Sequence, residues 1–312
     1  MDIPISYGYR LGLLAYAIIS IIRMNPTTKE KKVLVPKNVV VICTRNRKEE
    51  LEIVLASLHQ QTLLPDLVLV IDSSDSFFQM QNDYGFKLNH VHSQKNLTFQ
   101  RNVSLGMLSA LDDDTRIHFF DDDVILGNRY LERVSKRFDL YPDIDGICAR
   151  TSDNADKNPS LYMRFFMLDS ICSGRVLPSG VNVAFKDSSG SYEVEWLAGC
   201  CMSYRLSRIR DLRFDESRKG VGWGEDVDFS YRLSKSCKLI CMTDLEITHS
   251  LSLTNRDSTI VQYFRVIENR FKLARIPQGK VREVFVLWSL LGEIPLLMTL
   301  KVKRLIQLAT RS

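Results

Sequence analysis

The sequence predicts an α/β fold with a mostly parallel central sheet and flanking helices. Over residues 38–150, short apolar runs alternate with segments of helical periodicity, which is typical of β-α-β crossovers. The chain has 312 residues, 45% of them hydrophobic and 25% charged, so it can bury a full core. The GxGxxG and P-loop patterns are both absent from the sequence. The hypotheses of a dinucleotide-binding dehydrogenase and of a P-loop ATPase therefore lose their main support.

The elements are predicted in chain order. Residues 39–43 form a continuous apolar run that ends in the polar letters TRNR, which predicts a buried strand, and helical periodicity follows over residues 49–61. Two further strands are predicted at 67–71 and 88–92, and a helix over 98–111 leads to the next strand. Further on, residues 151–195 lose the alternation and accumulate Ser, Asn, Gly and Pro, which predicts an irregular or antiparallel region.

The strongest chemical signal is the acidic triplet Asp121, Asp122 and Asp123, which follows the apolar run RIHFF. Three adjacent carboxylates repel one another, and oxygen ligands suit a hard ion such as Mg²⁺ or Mn²⁺. The natural companion of such a metal is a diphosphate. Ligands of open α/β sheets collect at the carboxyl ends of strands, where this triplet is expected. A second acidic triplet at 112–114 precedes the strand and is predicted to be a solvated loop.

The segment GVGWGEDVDFSYRL, residues 220–233, is the second signal. Its glycines allow close backbone approach, Trp223 offers a flat apolar face, and Glu225 and Asp226 precede a predicted helix over 227–234. The N-terminus of a helix keeps a carboxylate ionised. We interpret Asp226 as catalytic, because ordinary N-capping does not require the flanking glycine loop.

Three smaller features concern cysteines, glycine and charge. Seven cysteines without a CxxC pair indicate reduced thiols and a cytosolic compartment. Cys237, Cys241 and His249 have a zinc-like spacing, but we favour buried thiols because no second ligand pair accompanies them.

The segment WLAGCC, 196–201, is predicted to be a strand closing at Gly199, where a substrate can approach the backbone. A net charge of +5, scattered except at the two ends, indicates no nucleic-acid partner.

Both ends of the chain are apolar. Residues 11–22 form a run of twelve between two arginines, which is short for a membrane span and fits a helix in the interface or on the core. Residues 284–309 are rich in Leu, are interrupted at Gly292 and Pro295, and end in basic residues. Two interpretations stay open for the ends: docking on an anionic membrane surface, or helices that pack on the core.

Seven motifs occur in a fixed order: VVVICTRNR, LVLVIDSSD, NLTFQRNVSL, HFFDDDV, WLAGCCMSYR, GWGEDVDFSYRL and a strand ending in His249. This ordered set resembles the family 2 glycosyltransferases of the GT-A fold, over about residues 38–253. The resemblance implies a catalytic domain at 38–255, and the apolar ends add a predicted N-terminal helix and linker at 1–37 and C-terminal helices at 256–312.

The resemblance also implies a site for a nucleotide-diphospho-sugar. The residues that it places around the nucleotide are Thr44, Arg45, Asn46, Asp72, Arg101, Asn102, Asp121 and Asp122. Asp72 is expected to accept a hydrogen bond from the base, and Arg101 and Asn102 to lie near the base and ribose. Asp123 is expected to ligate a divalent ion that bridges the diphosphate, while Asp121 faces the ribose or the metal.

The implied reaction is an inverting transfer of the sugar to a hydroxyl of a glycan or lipid-linked acceptor, in cell-surface polysaccharide synthesis. Asp226, beside Glu225, is the expected general base. The residues expected on the acceptor side are Trp196, Gly199 and Trp223. Three roles stay open for His249: a ligand of the metal, a contact of the diphosphate, or a cap at a strand end. The acceptor class and the apolar ends predict a protein held peripherally on the cytoplasmic face of the cell membrane.

Two other functions remain open. A nucleotidyltransferase also combines an α/β sheet with acidic metal ligands, but it would need a glycine-rich basic loop after the first strand, and CTRNRKEE contains no glycine. A catalytically silent nucleotide-sugar-binding module on the same fold would be supported by loss of the metal carboxylates or the base. Neither is lost from the sequence.

Overall fold

A computed structural model describes most of the chain. The described residues are 37–76, 78, 83–150, 158–186, 190–218, 223–249 and 259–309, with side chains for all of these except 259 and 298–309. The apolar segment predicted at 11–22 lies outside these ranges.

The described strands are Asn38–Thr44 (β1), Leu67–Asp72 (β2), Lys87–His92 (β3), Arg116–Asp121 (β4), Val124–Leu126 (β5), Ile144–Ala149 (β6), Ser191–Val194 (β7), Cys201–Arg205 (β8), Lys238–Met242 (β9) and Ile247–His249 (β10). The described helices are Lys48–His59 (α1), Leu97–Leu108 (α2), Tyr130–Leu140 (α3), Leu161–Phe165 (α4), Leu206–Ile209 (α5), Glu225–Leu233 (α6), Thr259–Leu273 (α7) and Glu283–Ala309 (α8).

In the described part of the chain the central sheet has eight strands in the order β3-β2-β1-β4-β8-β6-β9-β7. The first four of these are parallel to one another. Strand β8 is antiparallel to both neighbours, β6 and β9 are parallel, and β7 is antiparallel to β9. The α/β class is confirmed, with the parallel strands gathered in one half and a mixed arrangement in the other. β7, from the segment predicted to be irregular or antiparallel, forms the edge of the mixed half.

The parallel half places the ends of three strands at one edge of the sheet. Thr44 lies opposite Asp72 in the β1–β2 register, and Cys43 lies opposite Asp121 in the β1–β4 register. Strands β1, β2 and β4 are buried along almost their whole length, which explains why each reads as a continuous apolar run. Their polar ends therefore meet at the carboxyl edge, where ligands bind in such sheets.

Helices begin where the sequence offers a cap or a turn. Asn96 caps α2, because its side-chain oxygen accepts hydrogen bonds from the backbone N–H groups of Thr98 and Phe99. Helix α6 begins after Gly224, whose φ of +75° is a left-handed conformation that glycine adopts without strain. The predicted starts of both helices differ from the observed ones by one or two residues.

Two expectations about regular structure need correction. Residues 196–200 are not a strand; they form a turn in which the N–H of Cys201 donates to the carbonyl of Ala198, and β8 begins only at Cys201. Helix α8 runs through Gly292 and Pro295 without ending. Gly292 serves close packing instead, since a Cβ there would lie 2.3 Å from Cγ of Phe166. None of the described helices is long and apolar enough to cross a membrane.

Candidate active site

The acidic triplet lies where β4 ends and the short strand β5 begins. Asp121 is the last residue of β4 and is partly exposed, whereas Asp122 and Asp123 are buried in the turn. Strand β5 pairs with β10 so that His249 lies opposite Val124, and this brings Nε2 of His249 to 3.0 Å from Oδ1 of Asp123. Asp121, Asp123 and His249 each offer one ligand atom, and these atoms lie within 4.8 Å of one another.

The middle residue of the triplet has a different environment. Asp122 accepts a hydrogen bond from Oγ1 of Thr44 at 2.7 Å and another from Nη1 of Arg47 at 2.7 Å. Burial raises the pKa of Asp122 to about 6, although Arg47 and Thr44 act in the opposite direction. Asp122 and Thr44, both predicted to bind the nucleotide, therefore bind each other. The role of Arg47 was not predicted, although its position directly after CTRN was a usable signal.

Arg101 is the centre of a second cluster, and it is almost fully buried. Its Nη1 donates to Oε1 of Glu225 at 2.7 Å, and its Nη2 donates to Oδ1 of Asp121 at 3.3 Å and to the carbonyl of Gly199 at 3.2 Å. Burial opposes the positive charge, but Glu225 and Asp121 outweigh it and raise the pKa of Arg101. Arg101 lies between Asp121 of the metal-ligand set and the ED segment, Glu225 and Asp226, and its predicted place near the base and ribose stays a prediction.

Asp226 approaches the same turn from helix α6. Its Oδ2 accepts a hydrogen bond from the N–H of Gly199 at 2.9 Å, and its Oδ1 accepts one from the N–H of Val227 at 2.8 Å. A Cβ on Gly199 would lie 3.1 Å from Oδ2 of Asp226, so a larger residue would have to push the carboxylate aside by a few tenths of an ångström. Burial raises the pKa of Asp226. Burial and the adjacent Asp226 also raise the pKa of Glu225, to about 8, despite Arg101.

At the end of β2, Asp72 does not face solvent. One carboxylate oxygen of Asp72 accepts from the backbone N–H and the hydroxyl of Ser74, and the other lies 3.2 Å from Nε2 of His90. Burial works against ionisation, but these hydrogen bonds outweigh it and lower the pKa of Asp72. Asp72 is fully buried, and the base contact predicted for it stays a prediction. The exposed carboxylate at this edge is that of Asp75.

Arg45 and Asn46, which follow β1, both bind Asp75. Nη2 of Arg45 donates to Asp75 at 3.0 Å, and Nδ2 of Asn46 donates to Oδ2 of Asp75 at 2.7 Å. Asn46 has a φ of +54°, a conformation that asparagine tolerates better than most residues. These three side chains form a polar rim on the carboxyl edge next to Asp122.

Two predicted site residues have structural partners. The side-chain amide of Asn102 donates to the carbonyl of Phe214 and to Glu216, and it accepts from the N–H of Phe214. The indole of Trp196 is buried, donates to the carbonyl of Val183 and stacks on Phe185 at 4.4 Å. Both side chains therefore hold loops in place.

Trp223, the second of the three tryptophans in the sequence, lies two residues before Glu225 and is half-buried. All seven cysteines are unpaired, and Cys241 is buried in β9 as expected. Among the described residues, His249 groups with Asp121 and Asp123 and not with cysteines.

Comparison with known proteins gives the following. A family model described as Glycosyl transferase family 2 matches residues 39–207, more than half of the chain. Curated proteins give no match. The solved structure of GalNAc-T7 with UDP, GalNAc and Mn²⁺ superposes with a TM-score of 0.53 at 14% identity, covering 82% of this chain and 53% of that chain. S. aureus TarS 1–349 in complex with UDP superposes with a TM-score of 0.49 at 15% identity, covering 78% and 67%.

The structural match to GalNAc-T7 concerns the fold alone, and this chain spans about half of the GalNAc-T7 chain. A second structure of S. aureus TarS superposes with a TM-score of 0.49 at 16% identity. That match covers 78% of this chain and 41% of the TarS chain. The observed α/β architecture and the family match agree with the GT-A fold expected from the motifs. On the family match, the chain belongs to glycosyl transferase family 2.

Proposed function

We propose that this protein transfers a sugar from a nucleotide-diphosphate donor to an acceptor hydroxyl, with inversion at the anomeric carbon. One observation carries the proposal: Arg101 joins Asp121 of the metal-ligand set to Glu225, and Gly199 joins Arg101 to Asp226. The groups required for donor activation and for deprotonation of the acceptor are thereby held in one cluster.

The residues present fit a divalent cation. Two carboxylates and one imidazole converge within 4.8 Å, and Asp121 and Asp123 bring negative charge that nearby arginines only partly offset. Oxygen ligands suit Mg²⁺ and Mn²⁺, and the imidazole of His249 favours Mn²⁺ of the two. GalNAc-T7 was solved with Mn²⁺ and UDP. When bound, such an ion would act as a Lewis acid on the diphosphate leaving group.

Asp226 is the proposed general base. Its carboxylate takes the proton of the acceptor hydroxyl while that oxygen forms a bond to the anomeric carbon, and the bond from this carbon to the diphosphate oxygen breaks. The raised pKa of Asp226 makes it a stronger proton acceptor than an exposed aspartate. The N–H groups of Gly199 and Val227 keep the carboxylate oriented. A direct displacement requires no nucleophilic Ser or Cys.

The alternatives have less support. A nucleotidyltransferase needs backbone N–H groups in a glycine-rich loop after β1, whereas Arg45 and Asn46 use their side chains there to bind Asp75. A silent binding module would have lost the metal carboxylates or the base. Asp121, Asp123 and Asp226 are all present and clustered.

The test uses the full-length chain. Binding of UDP-, GDP- and dTDP-sugars is measured by calorimetry with and without Mn²⁺, and the best donor is then incubated with glycan and lipid-linked acceptors. We expect Mn²⁺-dependent donor binding and a product whose anomeric configuration, read by NMR, is opposite to that of the donor. Retention of configuration would contradict the role of Asp226.

We further propose that helix α8 holds the protein on a membrane surface on the cytoplasmic side. Its outer face carries the apolar residues Val284, Leu287 and Leu291, which are more than half exposed, and the exposed ring of Phe165 packs beside it on Trp288. The sequence of α8 then continues into the basic segment KVKR at 301–304. Apolar and basic residues together favour an anionic lipid surface.

Flotation with vesicles tests this second proposal. The full chain is expected to float with vesicles of phosphatidylcholine and phosphatidylglycerol, and less with pure phosphatidylcholine. Leu291→Glu should reduce flotation several-fold, because a charge replaces an exposed apolar contact. Leu140→Glu is the matched control, since Leu140 is 62% exposed at the end of α3. Equal flotation of both variants would refute the role of α8.

A further inference from the structure

A cavity of about 330 Å³ lies beside the ED segment and is not used by the mechanism above. Its lining residues are Ser217, Arg218, Trp223, Arg265, Glu268 and Lys272. Helix α7 supplies the last three, and the turn before residue 219 supplies the first two. The cavity is therefore built between a turn and a helix that pack against the start of α6.

The cavity is adjacent to the proposed base. Nη1 of Arg218 donates to the carbonyl of Trp223 at 3.1 Å, and Trp223 precedes Asp226 by only three residues. Helix α7 touches the same place, since a Cβ on Gly224 would lie 2.4 Å from Nδ2 of Asn269. A group bound in this cavity would therefore lie beside the loop that leads into the proposed base, Asp226.

Hydrogen-bond donors without acceptors lie in its wall. Arg218 is only 6% exposed, and within the described part of the chain its Nε and Nη2 have no hydrogen-bond partner. Asp215 and Asp228 lie near them at 3.6 and 3.5 Å, which gives charge contact without a hydrogen bond. The buried Nε1 of Trp223 likewise has no acceptor among the described residues. Buried donors in this state favour a ligand that brings acceptor oxygens.

The charge of the wall favours an anion over a neutral sugar. The lining has three cations, Arg218, Arg265 and Lys272, and one carboxylate, Glu268, which pairs with Lys272 at 3.3 Å. Lys272 also binds Asp215 at 3.0 Å, and Asp228 binds Arg232 at 2.9 Å, so the donors that a ligand would use are mainly those of Arg218 and Trp223. A neutral sugar needs protein acceptors for its hydroxyl hydrogens, whereas an oxyanion needs only the donors and cations that are present.

We infer that this cavity binds an oxyanion carried by the acceptor, either the carboxylate of an acidic sugar or a phosphate group. The inference rests on the proposed glycosyl transfer and specifies its acceptor class. Trp223 would cover the sugar face next to that anion, and Arg218 would bind the anion itself.

The experiment titrates the full chain with methyl phosphate, D-glucuronate and D-glucose at constant ionic strength while tryptophan fluorescence is recorded. We expect a saturable change with at least one of the two anions and none with glucose. The change should disappear in Trp223→Phe, which assigns the signal to the cavity. Arg265→Gln and Arg218→Gln should weaken anion binding about tenfold or more, as for the loss of a charged hydrogen bond. Arg213→Gln, at an exposed arginine of the same segment, should leave it unchanged.

The outcomes are separable. Binding of methyl phosphate alone assigns a phosphate-bearing acceptor, and binding of glucuronate alone assigns an acidic sugar. Glucose binding as tight as that of the anions, a signal that persists in Trp223→Phe, or unchanged affinity in Arg265→Gln would overturn the inference. Arg265 is partly exposed, so this variant decides the matter even if Arg218→Gln fails to fold. Calorimetry of donor binding with Mn²⁺ is run separately, so failure of the glycosyl-transfer proposal is recognised independently of anion binding.

Discussion

Strand β4 has an acidic triplet at each end, and the two differ in almost every physical respect. Residues 112–114 precede the strand, are exposed, and make a surface ion pair between Asp113 and Arg210. Residues 121–123 end the strand, where Asp122 and Asp123 are buried among Thr44, Arg47 and His249. The same three letters therefore give a solvated turn at one end and a candidate metal site at the other.

The difference teaches that position relative to the sheet decides what an acidic cluster does. Parallel neighbours bring the ends of β1 and β2 beside the end of β4, so polar groups from distant segments meet there. At the other end, the chain only turns in solvent. Surface pairs of the Asp113 kind contribute little to stability, whereas the buried carboxylates are kept by specific partners.

The largest effect is expected from Asp123→Ala. Loss of this ligand should abolish transfer and weaken Mn²⁺-dependent nucleotide binding by more than about a hundredfold, since even outer partners of metal sites contribute about 10–100-fold. Calorimetry with a nucleoside diphosphate and Mn²⁺ measures it. Asp113→Ala, the corresponding change at the other end of β4, should alter neither property. Equal behaviour of the two variants would remove the distinction between the triplets.

Asp226→Asn sharpens the comparison by separating chemistry from donor binding. Asparagine keeps the shape and loses the proton acceptor, so turnover should fall by roughly a hundredfold or more while donor affinity is retained. Steady-state kinetics and donor calorimetry give the two quantities. Asp211→Asn serves as the control at an exposed aspartate. If Asp226→Asn turns over like wild type, Glu225 or another group is the base.

The smallest effect is expected in the middle of β4. His118 is fully buried between Ser203 and Asn38, and burial lowers its pKa to about 3. The folded state therefore resists protonation, and the stability from the neutral ring is present above pH 6.5 and lost as pH falls toward 3. This costs about 1.4 kcal/mol per pH unit.

Urea unfolding at pH 7 and pH 4.5 measures the difference. His118→Asn should lose about 2 to 3 kcal/mol less than wild type over this interval, whatever its overall stability. His92→Asn at the exposed end of β3 removes a histidine without removing the buried one, and it is measured in parallel as the comparison variant. An unchanged dependence in His118→Asn would show that other groups dominate acid unfolding.

Much of the fold could be predicted because each buried strand is recognisable from its own short stretch of sequence. β1, β2 and β4 are apolar runs that end in polar residues, and each was predicted within one or two residues. The turn at 196–200 was missed, because the letters WLA are apolar for packing and not for strand pairing. Trp196 stacks on Phe185, which is distant in sequence, and a local pattern carries no sign of that contact.

The candidate site could be predicted in its residue types but not in its pairings. Asp121, Asp123 and His249 do converge as one ligand set. The roles of Arg101 and Arg47 depend on carboxylates 20 to 124 positions away, and single-sequence spacing gives no access to such partners. Asp72 shows the same difficulty, because the hydrogen bonds that occupy it come partly from the neighbouring strand β3.

Gly199 has a consequence for how this enzyme can change over evolution. Its N–H holds Asp226 and its carbonyl holds Arg101, and both are main-chain groups that every residue around the turn possesses. The geometry of the constellation is therefore encoded in the path of the backbone, not in the neighbouring side chains. Substitutions at 198 and 200 are limited by core packing, since Ala198 and Cys200 are buried, whereas a substitution at 199 acts directly on Asp226, because a Cβ there would lie 3.1 Å from its carboxylate.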